Sequence, residues 1–167
     1  MKKFVFVVAP KVFRDEEYIE PKMILEQAGI EVTTASTVVG ELLGKIKIKA
    51  QSQMLVKDIS VNDFDGIFFV GGGGASVYFE DEVAHNIAKK FYDEGKIVSA
   101  ICIAPVILAK AGLLKNRKAT VFPDGADILI QNGAEYTAKP VEVDDQIVTG
   151  NGPQASKDFA NELLKLL

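Results

Sequence analysis

The stretch VSAICIAPVILAKAGLL, at Val98–Leu114, indicates how this chain folds. The apolar run Ile97–Ile101 predicts a buried strand, and a proline begins a helix that we predict over Pro105–Ala111. Cys102 lies between the two. A strand that turns sharply into a helix exposes the residue at the bend, so the stretch predicts a nucleophile elbow with Cys102 at its tip.

Two roles are open for Cys102, the only cysteine in the chain. The N-terminus of a helix favours a thiolate over a thiol, which predicts a lowered pKa and a reactive side chain. A cysteine in an apolar run is otherwise usually buried and inert. One cysteine cannot form an internal disulfide, so nothing here indicates an oxidising compartment.

Outward from this stretch, apolar strands alternate with amphipathic helices. Strands are predicted at Phe4–Val8, Ile30–Ser36, Ile67–Val70 and around Ala119–Phe122. A hairpin is predicted over 141–150, with Asp144–Asp145 at its turn. Helices are predicted at Glu16–Ala28, around 81–95 and at Gln154–Leu166. In the middle helix, Val83, Ile87 and Phe91 share one predicted apolar face. The alternating run KIKIKA, 45–50, predicts a strand or hairpin outside the main sheet. This order predicts an α/β fold with a mostly parallel sheet and helices on both faces.

Length and composition narrow the class of protein. The 167 residues, without repeats or linkers, predict a single domain over 1–167. A net charge of −4 with only short basic runs argues against nucleic acid as a partner. No stretch reaches the ~20 apolar residues of a membrane span. The apolar run in the N-terminal segment MKKFVFVV is too short for a signal peptide. We therefore expect a cytoplasmic protein.

Two further motifs carry candidate chemistry. Glycines follow the predicted strand Ile67–Val70 in the run VGGGG. They permit a phosphate site, a simple turn or a backbone N–H that stabilises an oxyanion. The Gly-Lys-Ser/Thr ending of a phosphate-binding loop is missing. His85, the only histidine, has no partner spaced for a metal site, and we expect it on the exposed side of its helix. We therefore predict no metal and no cofactor.

An acidic segment, FRDEEYIEP, follows the first predicted strand. Glu17 lies four residues before Pro21, which cannot donate to the Glu17 carbonyl, so we expect a distorted or non-helical first turn. Such irregularity near a strand end often accompanies a positioned functional side chain. The alternative is a solvated acidic helix N-terminus formed by Asp15, Glu16, Glu17 and Glu20.

Together, FRDEEYIEP, FFVGGGG and SAICIAPVILAKAGLL, in this order, resemble the ThiJ/PfpI superfamily over essentially the whole chain. The resemblance implies a flavodoxin-like three-layer α/β/α sandwich. It also implies that Cys102 is the elbow nucleophile, that Glu17 hydrogen-bonds it, and that the amides of Gly72 and Ile103 form an oxyanion hole. A carboxyl beside a thiolate is expected to hold a proton, because two anions so close cannot both ionise cheaply.

The chain also departs from the family pattern. Peptidase-like members carry a histidine directly after the cysteine, where this chain has Ile103. Deglycase-like members often have a histidine at the position that corresponds to Phe122, and Val70 replaces the usual proline before the glycines. No histidine is therefore expected to act as general base, which argues against a Cys-His peptidase.

The resemblance implies a cysteine-dependent, cofactor-free enzyme of the glyoxalase or deglycase type. Cys102 would attack a small reactive carbonyl compound while Glu17 moves protons. One alternative is a redox-sensing, stress-protective protein in which an oxidant converts Cys102 to a sulfinate. Another is a PfpI-like peptidase or amidase. The family also implies a homodimer.

Overall fold

The computed structural model describes residues 1–167. The strands are β1 (Lys3–Val7), β2 (Lys11–Phe13), β3 (Glu31–Ser36), β4 (Gly40–Gly44), β5 (Lys49–Ser52), β6 (Met54–Leu55), β7 (Gly66–Phe69), β8 (Ile97–Ile101), β9 (Lys118–Ala119), β10 (Glu135–Tyr136), β11 (Val141–Asp144) and β12 (Ile147–Gly150). The α-helices are α1 (Asp15–Gln27), α2 (Glu82–Asp93), α3 (Pro105–Lys110), α4 (Ala126–Gln131) and α5 (Ser156–Leu166). No helix is both long and apolar enough to cross a membrane.

Seven strands form the central sheet, in the order β11-β12-β8-β7-β1-β3-β6. All neighbouring pairs are parallel except β11 and β12, which form the predicted hairpin at one edge. The turn of this hairpin lies at Asp145 and Gln146, one residue later than the expected Asp144–Asp145, and Asp145 has a φ of 57°. Because parallel strands end at the same edge, the loops after β1, β7 and β8 meet there.

Two apolar cores cover the two faces of the sheet. In β1, Phe4 and Phe6 pack on the side of α1 and α5, whereas Val5 and Val7 pack on the side of α2, α3 and α4. This alternation is what a strand buried on both faces requires, since successive side chains point to opposite faces. The predicted three-layer α/β/α sandwich with a mostly parallel sheet is therefore confirmed.

A second sheet, β2-β4-β5, lies outside the first. Its antiparallel pair β4–β5 is the hairpin predicted from KIKIKA, but the alternating residues at 45–48 form the turn instead of a strand. The carboxylate of Asp15 fixes this turn, because it accepts backbone N–H bonds from Ile46, Lys47 and Ile48 at 3.2, 2.7 and 2.8 Å. Asp15 is 5% exposed, so the solvated acidic N-terminus is not what forms here.

Three further expectations need correction. The strand predicted around Ala119–Phe122 is limited to β9, which pairs with β10 outside the central sheet. Val83 is 44% exposed, because the buried face of α2 is shifted to Ala84, Ile87, Ala88 and Phe91. The helix α1 continues through Pro21 with a helical first turn. Pro21 is buried within this helix and removes one of its backbone hydrogen bonds.

The Asp15 contacts predict a specific loss of stability. Burial alone would raise the pKa of Asp15, but its backbone N–H donors outweigh burial and lower the pKa. The stabilisation should therefore be present at neutral pH and be lost as the pH falls through the lowered pKa. We expect Asp15→Asn to lower the free energy of unfolding at pH 7 by about 1–3 kcal/mol, measured by urea denaturation.

Asp58→Asn is the matched control. Its side chain is 55% exposed and pairs only with Lys57, so a change within about 0.5 kcal/mol is expected. Equal losses in the two variants would show that the Asp15 contacts contribute nothing specific.

Candidate active site

The elbow after β8 is built as predicted. Cys102 has a φ of 61°, in the left-handed region that non-glycine residues rarely adopt. Its N–H donates to the Gly150 carbonyl at 2.9 Å, and its carbonyl accepts from the Phe122 N–H at 2.7 Å. These two bonds hold the strained residue from both sides. As a result, the thiol lies at the carboxyl edge of the sheet, half-buried.

Glu17 reaches the same point from α1 and is fully buried. The two side chains meet at Gly71, the first residue after Val70. A methyl group added to Gly71 would overlap Glu17 Oε2 and would come within 2.6 Å of Cys102 Cβ. Only glycine therefore leaves room for the carboxyl and the thiol together.

The Glu17 carboxyl lies in an environment that favours its neutral form. Burial raises the pKa of Glu17 to about 8, against smaller opposing effects of the Cys102 thiol and the Arg14 charge. Neither carboxyl oxygen makes a hydrogen bond of normal geometry, so the hydrogen bond between Glu17 and Cys102 that the resemblance implies is not formed here, although the thiol lies near enough to affect the carboxyl pKa. The alternative of a solvated Glu17 is therefore wrong, and the carboxyl holds its proton at neutral pH.

The thiol of Cys102 also retains its proton more strongly than a free cysteine does. Burial, followed by the negative charge of Glu17, raises the pKa of Cys102 to about 12, while the amides of Gly72 and Ile103 act in the opposite direction. The lowered pKa expected at the N-terminus of a helix is wrong, because burial and the Glu17 charge outweigh the two amides. Because the two groups are buried and close together, they titrate as a coupled pair, and each holds its proton more strongly than the free side chain does.

The two amides that influence the thiol come from different loops. Gly72 has a φ of 100°, and a methyl group there would overlap the amide of Arg14 and lie 2.7 Å from the Val12 carbonyl. The Arg14 N–H donates to the Gly71 carbonyl at 2.9 Å, which joins the glycine loop to the start of α1. The second amide, that of Ile103, follows the cysteine directly.

One pocket of about 300 Å³ unites the predicted residues: Cys102, Glu17, Gly72 and Ile103 all line it. Phe122, 39% exposed, forms part of its wall. A larger cavity of about 660 Å³ lies between β11 and α5 and contains none of these residues.

Sequence reasoning missed three charged residues that line the same pocket: Arg14, Lys45 and Asp124. Arg14 could have been noticed as the one basic residue in FRDEEYIEP. Lys45 gave no signal, because only the folding of the β4–β5 turn onto the main sheet brings it to the pocket.

His85 does not belong to the site. It is half-buried on α2, and its Nε2 lies 2.8 Å from the Phe79 carbonyl oxygen, which corrects the exposed position expected from the sequence. The pocket contains no histidine. No group of three or more His, Cys, Asp or Glu side chains is placed to hold a metal ion.

Comparison with known proteins shows the family of the chain. The model of the DJ-1/PfpI family matches residues 2–166. The chain belongs to the DJ-1/PfpI family. The resemblance to the ThiJ/PfpI superfamily that the motifs carry is thereby confirmed.

Individual family members match along nearly the whole chain. The chain is 38% identical to the uncharacterized protein MJ0967 of Methanocaldococcus jannaschii, over 99% of this chain and 82% of that protein. It is 33% identical to the deglycase PfpI of Pyrococcus furiosus, over 99% of both chains. The crystal structure of a ThiJ/PfpI domain protein from Brachyspira murdochii superposes with a TM-score of 0.95 at 34% identity, covering 99% of this chain and 97% of that one.

The raised pKa of Glu17 predicts how stability depends on pH. A carboxyl whose pKa rises from 4.5 to about 8 on folding stabilises the native state below pH 4.5, and this contribution is lost as the pH rises toward 8. Glu17→Gln cannot titrate. We compare the free energy of unfolding of wild type with that of Glu17→Gln at each pH. Between pH 4.5 and 8 the wild-type value should fall, relative to the variant, by on the order of 4 kcal/mol.

Urea denaturation at several pH values measures this difference. Glu20→Gln removes a carboxyl of the same helix outside the pocket and controls for a general loss of charge. A constant difference between wild type and Glu17→Gln across this range would contradict the raised pKa.

Proposed function

We propose that the protein is a cysteine-dependent, cofactor-free enzyme of the deglycase or glyoxalase type that acts on small reactive carbonyl compounds. The observation that carries the proposal is the placement of a buried, protonated carboxyl and a thiol beside two backbone amides in one small pocket. The deglycase name of the Pyrococcus furiosus relative supports it. We take methylglyoxal as the test substrate.

The reactive form is the one in which Glu17 and Cys102 share a single proton. Because the pKa values of both groups are raised, this form is a minority at pH 7. With the proton on Glu17, the sulfur is a thiolate that faces the amides of Gly72 and Ile103. This arrangement supplies a nucleophile without a histidine base.

Addition to the aldehyde is the first proposed step. The sulfur forms a bond to the aldehyde carbon, the electron pair of the C=O double bond moves to oxygen, and Glu17 gives its proton to that oxygen. The Gly72 and Ile103 amides stabilise the negative charge while it develops. The product of this step is a hemithioacetal on Cys102.

Proton transfer completes the conversion. The Glu17 carboxylate removes the proton from the carbon attached to sulfur and returns it to the neighbouring carbon. The hydroxyl proton of the hemithioacetal moves to the oxygen of the former ketone, which yields a thioester of a 2-hydroxy acid. Water then breaks the carbon–sulfur bond and releases the 2-hydroxycarboxylate and the thiol. Overall, one dicarbonyl and one water give one hydroxy acid, without a change in total oxidation state.

The other functions considered from the sequence have weaker support. Redox sensing needs the same Cys102 thiolate as the carbonyl chemistry, so the raised pKa counts equally against both, and the deglycase name of the relative is what favours the carbonyl chemistry. A Cys-His peptidase needs a histidine, and none lines the pocket. A homodimer and a cytoplasmic location stay predictions.

Three substitutions test the proposal. Cys102→Ser and Glu17→Gln should each lower the rate of methylglyoxal consumption and lactate formation at least ~100-fold, because each removes a reacting group. His85→Gln, outside the pocket, should stay within about twofold of wild type. The proposal fails if folded Cys102→Ser consumes methylglyoxal as fast as wild type.

A further inference from the structure

The mouth of the Cys102 pocket carries two cationic side chains, Arg14 and Lys45. The mechanism described above uses neither of them. We propose that they make the pocket select carbonyl compounds with a carboxylate beside the carbonyl group, such as glyoxylate. The inference rests on the proposed function in one respect, that the Cys102 thiol is the reacting group.

Lys45 has a charge that no other group in the protein neutralises. None of the ion pairs in the structure involves its ammonium group, and its side chain is exposed. Its backbone is nevertheless held in place, because its N–H donates to the Phe13 carbonyl at 2.8 Å and Asp15 binds the next three amides. The turn therefore holds a free cation at the pocket.

The guanidinium of Arg14 is oriented by Glu16. Arg14 Nε donates to Glu16 Oε2 at 2.8 Å, and Nη2 donates to Oε1 at 3.2 Å. The Glu16 hydrogen bond raises the pKa of Arg14, and the charges of Glu17 and Cys102 add to this effect. Arg14 lines the same pocket as the reacting pair, although Glu16 offsets part of its charge.

The lining of the pocket has two cations, Arg14 and Lys45, against one exposed carboxylate, Asp124, and Glu17 is neutral at pH 7. Since Glu16 already engages Arg14, the unmatched positive charge at the mouth is that of Lys45, and this residue should contribute most to selection. A volume of about 300 Å³ suits a small acid.

The chemistry of glyoxylate fits this arrangement. The Cys102 sulfur forms a bond to the aldehyde carbon, the electron pair of the C=O double bond moves to oxygen, and that oxygen takes the proton held by Glu17. The resulting hemithioacetal retains its carboxylate on the neighbouring carbon, at the distance of one bond from the reacting centre. Nothing is oxidised or reduced in this step.

Alkylation of Cys102 tests the selection without any turnover. Iodoacetate and iodoacetamide both transfer a CH₂ group to sulfur and lose iodide, but only iodoacetate carries a carboxylate next to the reacting carbon. The ratio of their rates, measured by intact mass on the single cysteine, therefore reports preference for the anion. In wild type, we expect the ratio of the iodoacetate rate to the iodoacetamide rate to be about five times the ratio for N-acetylcysteine. In Lys45→Gln, the ratio should be about threefold lower than in wild type.

Lys47→Gln is the matched control. It removes the same charge from the same turn, but Lys47 does not line the pocket, so the ratio should stay at the wild-type value. Asp124→Asn, which removes the opposing carboxylate, should raise the ratio. As a second readout, glyoxylate should slow alkylation by iodoacetamide in wild type more strongly than in Lys45→Gln.

The inference is overturned if the wild-type ratio equals that of N-acetylcysteine, if Lys45→Gln and Lys47→Gln lower it equally, or if Cys102 reacts with neither reagent. These outcomes are separate from methylglyoxal turnover. The wild-type protein could leave methylglyoxal unchanged while its preference for iodoacetate falls in Lys45→Gln. That result would support the anion selection and contradict the proposed methylglyoxal activity.

Discussion

The rest of the site depends on the close approach of the Glu17 carboxyl and the Cys102 thiol at Gly71. A buried carboxyl without a hydrogen-bond partner is costly, and keeping its proton lowers that cost. The contact requires a helix start, a glycine and a bend at adjacent strand ends. The parallel order of β1, β7 and β8 supplies all three at one edge of the sheet.

Three consecutive acidic residues in FRDEEYIEP perform three different physical tasks. Asp15 is ionised and binds the β4–β5 turn through backbone amides. Glu16 is ionised and orients the guanidinium of Arg14, whereas Glu17 is buried and neutral beside the thiol. The helical rotation of about 100° between residues separates them, so neighbours of identical charge enter different environments. The same segment thereby joins the second sheet to the active site.

Much of the architecture could be predicted because its signals are local. The apolar runs of the central sheet and the elbow around Cys102 are legible from residue type and order alone. Predictions were wrong where tertiary packing determines burial or strand length. Val83 fits the apolar spacing of α2 yet is exposed. The segment Ala119–Phe122 has the sequence pattern of a strand, but β9 pairs through only two residues. The lowered thiol pKa failed for the same reason, since burial and the Glu17 charge outweigh the two amides.

The sequence by itself determined the α/β class and the elbow, because spacing and backbone preference act over a few residues. The grouping of Glu17, Cys102, Gly72 and Ile103 came from the resemblance to a known family. Only the tertiary structure decided the protonation of the pair, since desolvation depends on everything packed around it. It alone also brought Lys45 to the pocket. That placement depends on a turn that a distant carboxylate, Asp15, holds in position.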